Sequence, residues 1–281
     1  MERVFKNARN ILFDCDGVLW RSETPINGAQ NVISRLLKVG KRVFLVTNNS
    51  TKTREEYAQK CANLGFPVTK DHIICTANVM AVTLKNKGIT GPVYLLGGNA
   101  IKQELDFVGI ESIGSGPDNT RIEDFSSIKI DDRVQAVVVG FDKYFNFIKI
   151  VKACLYINRR LPFYATNTDA QAPTVLGLTA GTGAIVQAIA TGSQTQPEII
   201  GKPSKYIIDF MHSQLSDFDE KESIFVGDKL NTDILFGNSY GLKTLLVMTG
   251  VTNEEDLAKA EGLMKPTFVL SSVEDIIPLL E

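Results

Sequence analysis

The chain has 281 residues, of which 44% are hydrophobic and 22% charged, and its formal net charge is −2. These values are typical of a globular protein with one large or two modest domains, and they indicate no basic face for nucleic acid. No apolar run has the length of a membrane span, the first residues do not form an export signal, and the four cysteines show no Cys-x-x-Cys spacing. We therefore expect a cytoplasmic enzyme with reduced thiols.

Strand-like and helix-like segments alternate along the chain. The predicted strands are 11–13, 42–47, 93–96, 136–139, 163–165, 199–200, 223–226, 244–248 and 268–270. The predicted helices are 29–39, 53–64, 77–87, 100–108, 147–158, 184–190, 205–215 and 233–240, and the polar stretch 112–133 is expected to be loop. This alternation predicts an α/β fold in which helices cover both faces of a parallel sheet.

Two carboxylates end the first predicted strand, Asp14 and Asp16, and Gly17 follows at once. Residues two apart in a strand point to the same side, and ligands bind at the carboxyl ends of strands in open α/β sheets. Because adjacent carboxylates repel unless a cation or proton intervenes, the pair indicates a Mg²⁺ site with one nucleophile and one acid/base. The same residues also favour turns, so the motif alone leaves both interpretations open.

Two further predicted strands end in groups that suit a phosphate. The second strand runs into Thr47, Asn48 and Asn49, whose hydroxyl, amide and backbone N–H groups can bind phosphate oxygens, although a helix cap explains them as well. Lys202 follows the strand at 199–200 in a constrained Gly-Lys-Pro turn. It is either the fixed cation that phosphoryl transfer needs or an ordinary solvated charge.

Asp228 ends one more apolar strand, and Asp233 follows five residues later near the start of a predicted helix. A carboxylate at a helix start also suits the helix dipole, so Asp233 has a structural alternative, whereas Asp228 does not. Each of the four segments is a weak signal on its own. Together, in this order and each at a strand end, they indicate a phosphoryl-transfer site.

With these motifs the chain resembles the haloacid dehalogenase-like phosphatase superfamily, and within it the eukaryotic branch of p-nitrophenylphosphatase, phosphoglycolate phosphatase and pyridoxal phosphate phosphatase. The resemblance rests on segments 13–20, 47–50, 201–203 and 227–233, with 181–183 and 249–251 in addition. It implies a Rossmann-like parallel-sheet catalytic core formed by residues 1–88 and 184–281. Residues 89–183 would form an inserted α/β cap domain, which would select the substrate.

The resemblance also implies the catalytic roles. Asp14 would be the nucleophile that forms an aspartyl-phosphate, and Asp16 the general acid that then becomes the base. Thr47 and the Asn48 amide, together with the neighbouring Asn49, would bind the transferred phosphoryl group. Lys202 would neutralise and orient both the nucleophile and the phosphate.

The metal and the substrate loop follow from the same resemblance. Mg²⁺ would be bound by Asp14, by the Asp16 backbone carbonyl and by Asp228, with Asp233 in support. In the cap, the loop 166–173 would determine specificity through Asn167 and Asp169. Cys15 lies between the two aspartates and is expected to be a buried thiol on the opposite side of the strand.

We therefore expect a Mg²⁺-dependent phosphatase that hydrolyses a small phosphate monoester, of the p-nitrophenyl phosphate, phosphoglycolate or pyridoxal phosphate type. The alternatives are a phosphotransferase or mutase that uses the same aspartyl-phosphate, and a binding protein on this scaffold without turnover. By resemblance we also expect a homodimer formed through the cap. Neither a nucleic acid nor a membrane is an expected partner.

Overall fold

A computed structural model of the protein describes residues 1–121, 125–174 and 177–280. Residues 122–124, inside the stretch predicted to be loop, lie outside the described residues. Within the described ranges, no helix combines the length and the apolar character that crossing a bilayer requires.

The structure contains short strands and helices that follow one another closely. The strands are β1 (Asn10–Phe13), β2 (Trp20–Arg21), β3 (Thr24–Pro25), β4 (Arg42–Thr47), β5 (Ile73–Cys75), β6 (Val93–Leu96), β7 (Ser112–Ile113), β8 (Ala136–Val139), β9 (Phe163–Ala165), β10 (Gln171–Thr174), β11 (Gly177–Ala180), β12 (Glu198–Ile199), β13 (Ser223–Gly227), β14 (Lys243–Val247) and β15 (Phe268–Leu270). The α-helices are α1 (Glu2–Asn7), α2 (Ala29–Lys38), α3 (Arg54–Asn63), α4 (Thr76–Asn86), α5 (Asn99–Phe107), α6 (Phe147–Asn158), α7 (Thr182–Ser193), α8 (Tyr206–Gln214), α9 (Leu235–Ser239) and α10 (Glu254–Ala258). A π-helical turn, Leu230–Ile234, leads into α9.

The larger sheet has six strands in the order β15-β14-β13-β1-β4-β5. Strand β1 pairs in parallel with both β13 and β4, so that Phe13 lies opposite Val226 on one side and Leu45 on the other. All four residues of β1 are buried, as are those of β13, and both strands are apolar after their first residues, Asn10 and Ser223, as is typical of strands covered on both faces. The chain runs outward from β1 to β4 and β5 and then returns to β13. The sheet therefore has its topological switch point between β1 and β13, where α/β sheets bind ligands.

The contacts divide the chain into two compact units. The first consists of Met1–Thr47, Arg54–Ile74 and Lys202–Glu281, and the second of Asn48–Thr53 and Cys75–Gly201. The second unit begins before and ends after the predicted insertion at 89–183, because helices α4 and α7 group with it. The predicted division into a core and an inserted cap domain stays a prediction.

The second unit has its own parallel sheet, with strand order β12-β9-β8-β6-β7, and a separate antiparallel hairpin of β10 and β11. Its hydrophobic core includes the rings of Tyr94 and Tyr156, which are tilted by 40° with their centroids 5.0 Å apart. On the N-terminal side of α6, the fully buried ammonium of Lys149 lies 2.6 Å from the Asp142 carboxylate. This ion pair fixes the loop after β8 to α6.

The predicted α/β class with parallel sheets is confirmed, and most predicted elements lie within two residues of their observed bounds. The helix predicted at 184–190 is longer than expected, since α7 covers Thr182–Ser193, and within 233–240 a π-helical turn comes before α9. The elements that the sequence did not predict are α1, α10 and the strands β2, β3, β5, β7, β10 and β11. Most of these are too short to show a hydrophobic period.

Candidate active site

Three carboxylates converge at the switch point of the six-stranded sheet. Asp14 directly follows β1, Asp228 directly follows the neighbouring β13, and Asp233 lies in the π-helical turn. One carboxylate oxygen from each residue lies within 4.8 Å of the other two. The structure thus brings together three of the four aspartates that the sequence assigned to a metal.

Lys202 lies against two of these carboxylates. Its ammonium Nζ is 2.5 Å from Asp14 Oδ1 and 2.9 Å from Asp233 Oδ1, and it donates a third hydrogen bond of 3.0 Å to the Val46 carbonyl. Only 2% of its side chain is exposed, and Nζ also lies 5.1 Å from the centroid of the Phe225 ring. Of the two interpretations of Lys202, the solvated surface charge is therefore excluded. The side chain is a buried cation that bridges two acids.

The charges of this cluster do not balance, because one ammonium faces three acids. Burial raises the pKa of Asp14 well above its usual range, Lys202 opposes the increase, and the neighbouring acids add to it. Burial and Asp233 together raise the pKa of Asp228 to about 7. For Lys202, burial favours the neutral amine, but Asp14 and Asp233 outweigh it and raise the pKa above its ordinary value. The Lys202 ammonium therefore stays charged, but it does not neutralise all of the negative charge that the three carboxylates would carry when ionised.

Backbone N–H groups hold two of the acids in place. Asp228 Oδ2 accepts a 2.7 Å hydrogen bond from the Val251 N–H. Asp233 Oδ2 accepts hydrogen bonds from the N–H groups of Asp228, at 3.2 Å, and Lys229, at 3.1 Å. Asp233 thus closes the loop after β13 with one oxygen and pairs with Lys202 through the other. Asp233 lies in the first turn of the π-helical segment, where an acid suits the helix dipole, and it also belongs to the group of three acids.

Two glycines allow the backbone to approach the buried Asp228 carboxylate closely. Gly17 has φ +90°, and a Cβ there would lie 2.6 Å from Asp228 Oδ2. A Cβ on Gly250 would also collide with the Asp228 carboxylate. The Thr249 hydroxyl donates a 2.6 Å hydrogen bond to the Gly17 carbonyl and so ties the two glycine loops together. Both glycines lie in segments that the family resemblance includes, but their packing against Asp228 was not predicted from the sequence.

Asp16 lies outside the group of three converging acids, as far as the described residues show. Its Oδ1 accepts a 3.1 Å hydrogen bond from the indole N–H of Trp20. The Trp20 ring is fully buried, packs edge-on against Phe66 at 5.6 Å and lies under the Lys60 ammonium at 4.8 Å. Trp20 thereby orients Asp16, the predicted acid/base residue. This role was not predicted, although a turn can bring two residues that are four positions apart into contact.

Cys15 is buried, with 1% exposure, as the sequence analysis expected. Burial and the flanking aspartates raise the pKa of its thiol well above the usual range. A thiol held neutral in this way is a poor nucleophile. Nothing in this arrangement gives Cys15 a part in the chemistry.

The remaining predicted site residues are Thr47, at the end of β4, and four residues of the second unit. Thr47 is the last residue of this strand and is buried, whereas Asn48 and Asn49 belong to the short segment that groups with the second unit. There Asn48 Nδ2 lies 3.3 Å from Asp169 Oδ2, and Asn167 Nδ2 donates to the Asn48 carbonyl at 2.8 Å. Asn49 Oδ1 accepts hydrogen bonds from the Thr51 N–H and hydroxyl. Phosphate binding by this segment stays a prediction.

The donor set at the switch point suits a hard divalent cation. Asp14, Asp228 and Asp233 offer carboxylate oxygens, which are the ligands that Mg²⁺ prefers. The raised pKa values of Asp14 and Asp228 show that these acids lack the positive charge that such a cation supplies. The residues present therefore fit Mg²⁺.

Comparison with known proteins identifies the family. The sequence profile described as haloacid dehalogenase-like hydrolase matches residues 11–111, and a second one, described as HAD-hydrolase-like, matches residues 199–276. Glycerol-3-phosphate phosphatase of Gallus gallus is 39% identical over 99% of this chain and 94% of its own length. Phosphoglycolate phosphatase 2 of Arabidopsis thaliana is 37% identical over 99% of this chain and 95% of its own. The chain belongs to the haloacid dehalogenase-like hydrolases, and the predicted class of phosphoric monoester hydrolase is confirmed.

Solved structures give the same result. The 4-nitrophenylphosphatase of Thermotoga maritima superposes with a TM-score of 0.85 at 26% identity and covers 99% of both chains. Glycerol phosphate phosphatase of Mycobacterium tuberculosis, crystallised in complex with magnesium, has a TM-score of 0.83 at 28% identity, over 99% of this chain and 78% of its own. Both similarities extend over nearly the whole of this chain.

Proposed function

We propose that the protein hydrolyses small phosphate monoesters with Mg²⁺, through an aspartyl-phosphate on Asp14. The observation that carries the proposal is the buried Lys202 bridge, which holds Asp14 and Asp233 beside Asp228 at the switch point. An anionic nucleophile can approach an anionic phosphate only where fixed positive charge surrounds both. Lys202 supplies one such charge from the chain itself.

Asp14, Asp228 and Asp233 would hold the metal, together with the Asp16 carbonyl that the family resemblance implies. When bound, Mg²⁺ neutralises the acids and the developing charge on the phosphoryl group. The chain contributes the rest: Lys202 holds Asp14 Oδ1 at a fixed place, and the glycines at 17 and 250 let the backbone pack closely against the buried Asp228 carboxylate.

The first half of the reaction transfers the phosphoryl group to the protein. A carboxylate oxygen of Asp14 attacks phosphorus as the bond from phosphorus to the ester oxygen breaks. Asp16 donates its proton to the leaving alkoxide, and the hydrogen bond from Trp20 keeps the Asp16 side chain in place for this transfer. Thr47 and Asn48 are assigned to the phosphoryl oxygens from the sequence motif.

The second half returns the protein to its starting state. Asp16, now ionised, takes a proton from a water molecule, whose oxygen attacks phosphorus. The bond between phosphorus and the Asp14 oxygen breaks, inorganic phosphate leaves, and Asp14 is again a carboxylate. One residue serves first as acid and then as base because the two half-reactions require opposite proton transfers.

The choice of substrate is assigned to the loop 166–173, with Asp169 as its testable member. The relatives named above act, by their names, on glycerol 3-phosphate and phosphoglycolate, and these esters are the first candidates together with p-nitrophenyl phosphate and pyridoxal phosphate. A homodimer and a cytoplasmic location stay predictions.

The test is phosphate release from these four esters, measured with Mg²⁺ and with a chelator. We expect turnover that depends on Mg²⁺ and formation of free phosphate and alcohol alone. A new phosphoester in place of free phosphate would indicate the transferase instead. The absence of turnover in folded protein that binds Mg²⁺ would contradict the proposal.

Two variants sharpen the test. Asp14→Asn keeps the size of the side chain but removes the nucleophile, and it should abolish turnover of every ester. Asp169→Ala should change the ranking of the four esters and retain turnover. Should Asp169→Ala leave both rate and ranking unchanged, the specificity assignment fails while the hydrolase assignment stands.

A further inference from the structure

One carbonyl oxygen in the segment after Thr47 accepts two side-chain hydrogen bonds. The Asn48 carbonyl accepts from the hydroxyl of Thr76, at 2.8 Å, and from Nδ2 of Asn167, also at 2.8 Å. Thr76 is the first residue of α4, and Asn167 follows β9. Two parts of the second unit that are distant in sequence therefore converge on a single peptide group.

Asn167 is fully engaged within the protein. It is only 4% exposed, and its Oδ1 accepts a 3.1 Å hydrogen bond from the Asp169 N–H while its Nδ2 donates to the Asn48 carbonyl. Thr76 is completely buried. The hydrogen-bonding atoms of both buried side chains are thus bonded to the backbone. Such side chains hold the backbone in place and do not need a ligand to satisfy them.

The peptide group between Asn48 and Asn49, two of the predicted phosphate-binding residues, is fixed by these hydrogen bonds. Because the peptide bond is planar and trans, fixing the Asn48 carbonyl also fixes the direction of the Asn49 N–H, which points the opposite way. The peptide that is held thus belongs to the two residues directly after Thr47.

The Asn48 side chain is confined as well. Its Nδ2 lies 3.3 Å from Asp169 Oδ2, and a Cβ on Gly201 would lie 2.6 Å from its Oδ1 and 2.6 Å from the Thr166 carbonyl. Gly201 itself donates a 2.9 Å hydrogen bond to that carbonyl. Any residue other than glycine at position 201 would therefore collide with the Asn48 side chain in its observed position.

We propose that Thr76 and Asn167 are positioning residues for phosphoryl transfer, which act by jointly holding the Asn48 carbonyl and thereby the backbone that binds the phosphoryl group. The statement rests on the proposed function. Asn167, which the family resemblance assigned to substrate contact, acts indirectly in this proposal. Thr76 belongs to none of the sequence motifs.

The test uses Thr76→Val, Asn167→Ala and the double variant, with Thr76→Ser as the conservative rescue. Ser193→Ala is the matched control, because this buried hydroxyl also donates to a backbone carbonyl, that of Ile189 at 2.8 Å, but lies outside the segment. For each variant, kcat and KM are measured on the ester panel. Hydrogen exchange of a peptide that covers residues 48–53 gives a readout without activity.

We expect each single variant to lower kcat about fivefold on every ester, as the loss of one hydrogen bond predicts, with KM little changed and the ranking of esters preserved. The double variant should lose more than the product of the single losses, because the remaining donor still holds the carbonyl in each single variant. Thr76→Ser and Ser193→Ala should match the wild type. Exchange in 48–53 should rise in Thr76→Val, in Asn167→Ala and most in the double variant, but not in Thr76→Ser or Ser193→Ala.

Different failures have different signatures. A reordered ester ranking in Asn167→Ala but not in Thr76→Val would show a substrate contact and overturn the proposal. Unchanged kcat, or unchanged exchange in residues 48–53, would overturn it as well. If the wild type hydrolyses no ester at all, the proposed function fails, and the exchange measurement still decides whether the two residues hold this backbone.

Discussion

Replacing Lys202 with Met tests whether the buried ammonium is required to hold the acids of the site. The substitution keeps the length and apolar stem of the side chain but removes the charge that bonds to Asp14 and Asp233. Without it, the pKa of Asp14, already raised by burial, rises further because the opposing interaction is lost. A protonated Asp14 is not a nucleophile, so activity and stability should fall together.

The size of both effects follows from the burial of the bridge. Breaking a buried ion pair by removing one partner costs about 3–5 kcal/mol, and since the Asp14 side chain is 14% exposed, we expect the lower end of that range. Loss of a fixed charge at a reacting phosphoryl group lowers kcat by roughly a thousandfold. Adding Asp233→Asn to Lys202→Met should restore part of the stability, because one unpaired acid is removed, but none of the activity.

The assay is urea unfolding combined with steady-state kinetics on p-nitrophenyl phosphate. Lys149→Met is the matched control, because Lys149 is equally buried and pairs with Asp142 at 2.6 Å within the second unit. This control should lose comparable stability while the folded fraction retains its kcat. If Lys202→Met stays within about tenfold of the wild-type kcat, or if both lysine variants lose kcat equally, the role given to Lys202 is refuted.

Three further results are expected. Because burial raises the pKa of Asp14 and of Asp228 above their unfolded values, the folded chain binds more protons, so metal-free stability should fall as the pH rises from about 4 toward neutrality. Mg²⁺ should therefore raise the melting temperature more above neutral pH than at about pH 5, and an equal shift at both would contradict the charge argument. Trp20→Phe keeps the ring but removes the N–H that orients Asp16, and it should lower kcat about tenfold with KM unchanged; a wild-type kcat would show that the contact is unimportant. Gly250→Ala places a Cβ against Asp228 and should weaken Mg²⁺ binding in calorimetry, whereas unaltered affinity would place the metal elsewhere.

The position of Asp14 and Asp228 was predictable because each directly follows a buried, mostly apolar strand. Strands β1 and β13 are buried runs with clear limits, and their parallel pairing brings their carboxyl ends to one edge of the six-stranded sheet. The family resemblance then assigned Asp14 and Asp228 to one metal although 214 positions separate them (228 − 14). Lys202, Asp14 and Asp233 were all predicted as site residues. That one ammonium would contact both acids was not predicted.

The contacts that the sequence missed depend on hydrogen bonds between polar side chains and distant backbone. Nothing in the sequence around Thr76 relates this residue to the Asn48 carbonyl, since the side chain reaches it only when α4 packs beside the segment 48–53 of the same unit. The hydrogen bond from Trp20 to Asp16 depends on the turn at Gly17, whose positive φ brings the chain back on itself. Such pairings leave no periodic pattern in the sequence.

The central claim is that the phosphoryl group passes through Asp14, and trapping it there is the most direct test. Protein that is turning over p-nitrophenyl phosphate with Mg²⁺ is quenched rapidly in acid, digested and mapped by mass spectrometry. The account predicts phosphate on the peptide that contains Asp14, more of it in Asp16→Asn, whose second half-reaction lacks its base, and none in Asp14→Asn. Turnover without a phosphorylated Asp14 peptide, together with an active Asp14→Asn variant, would contradict the account.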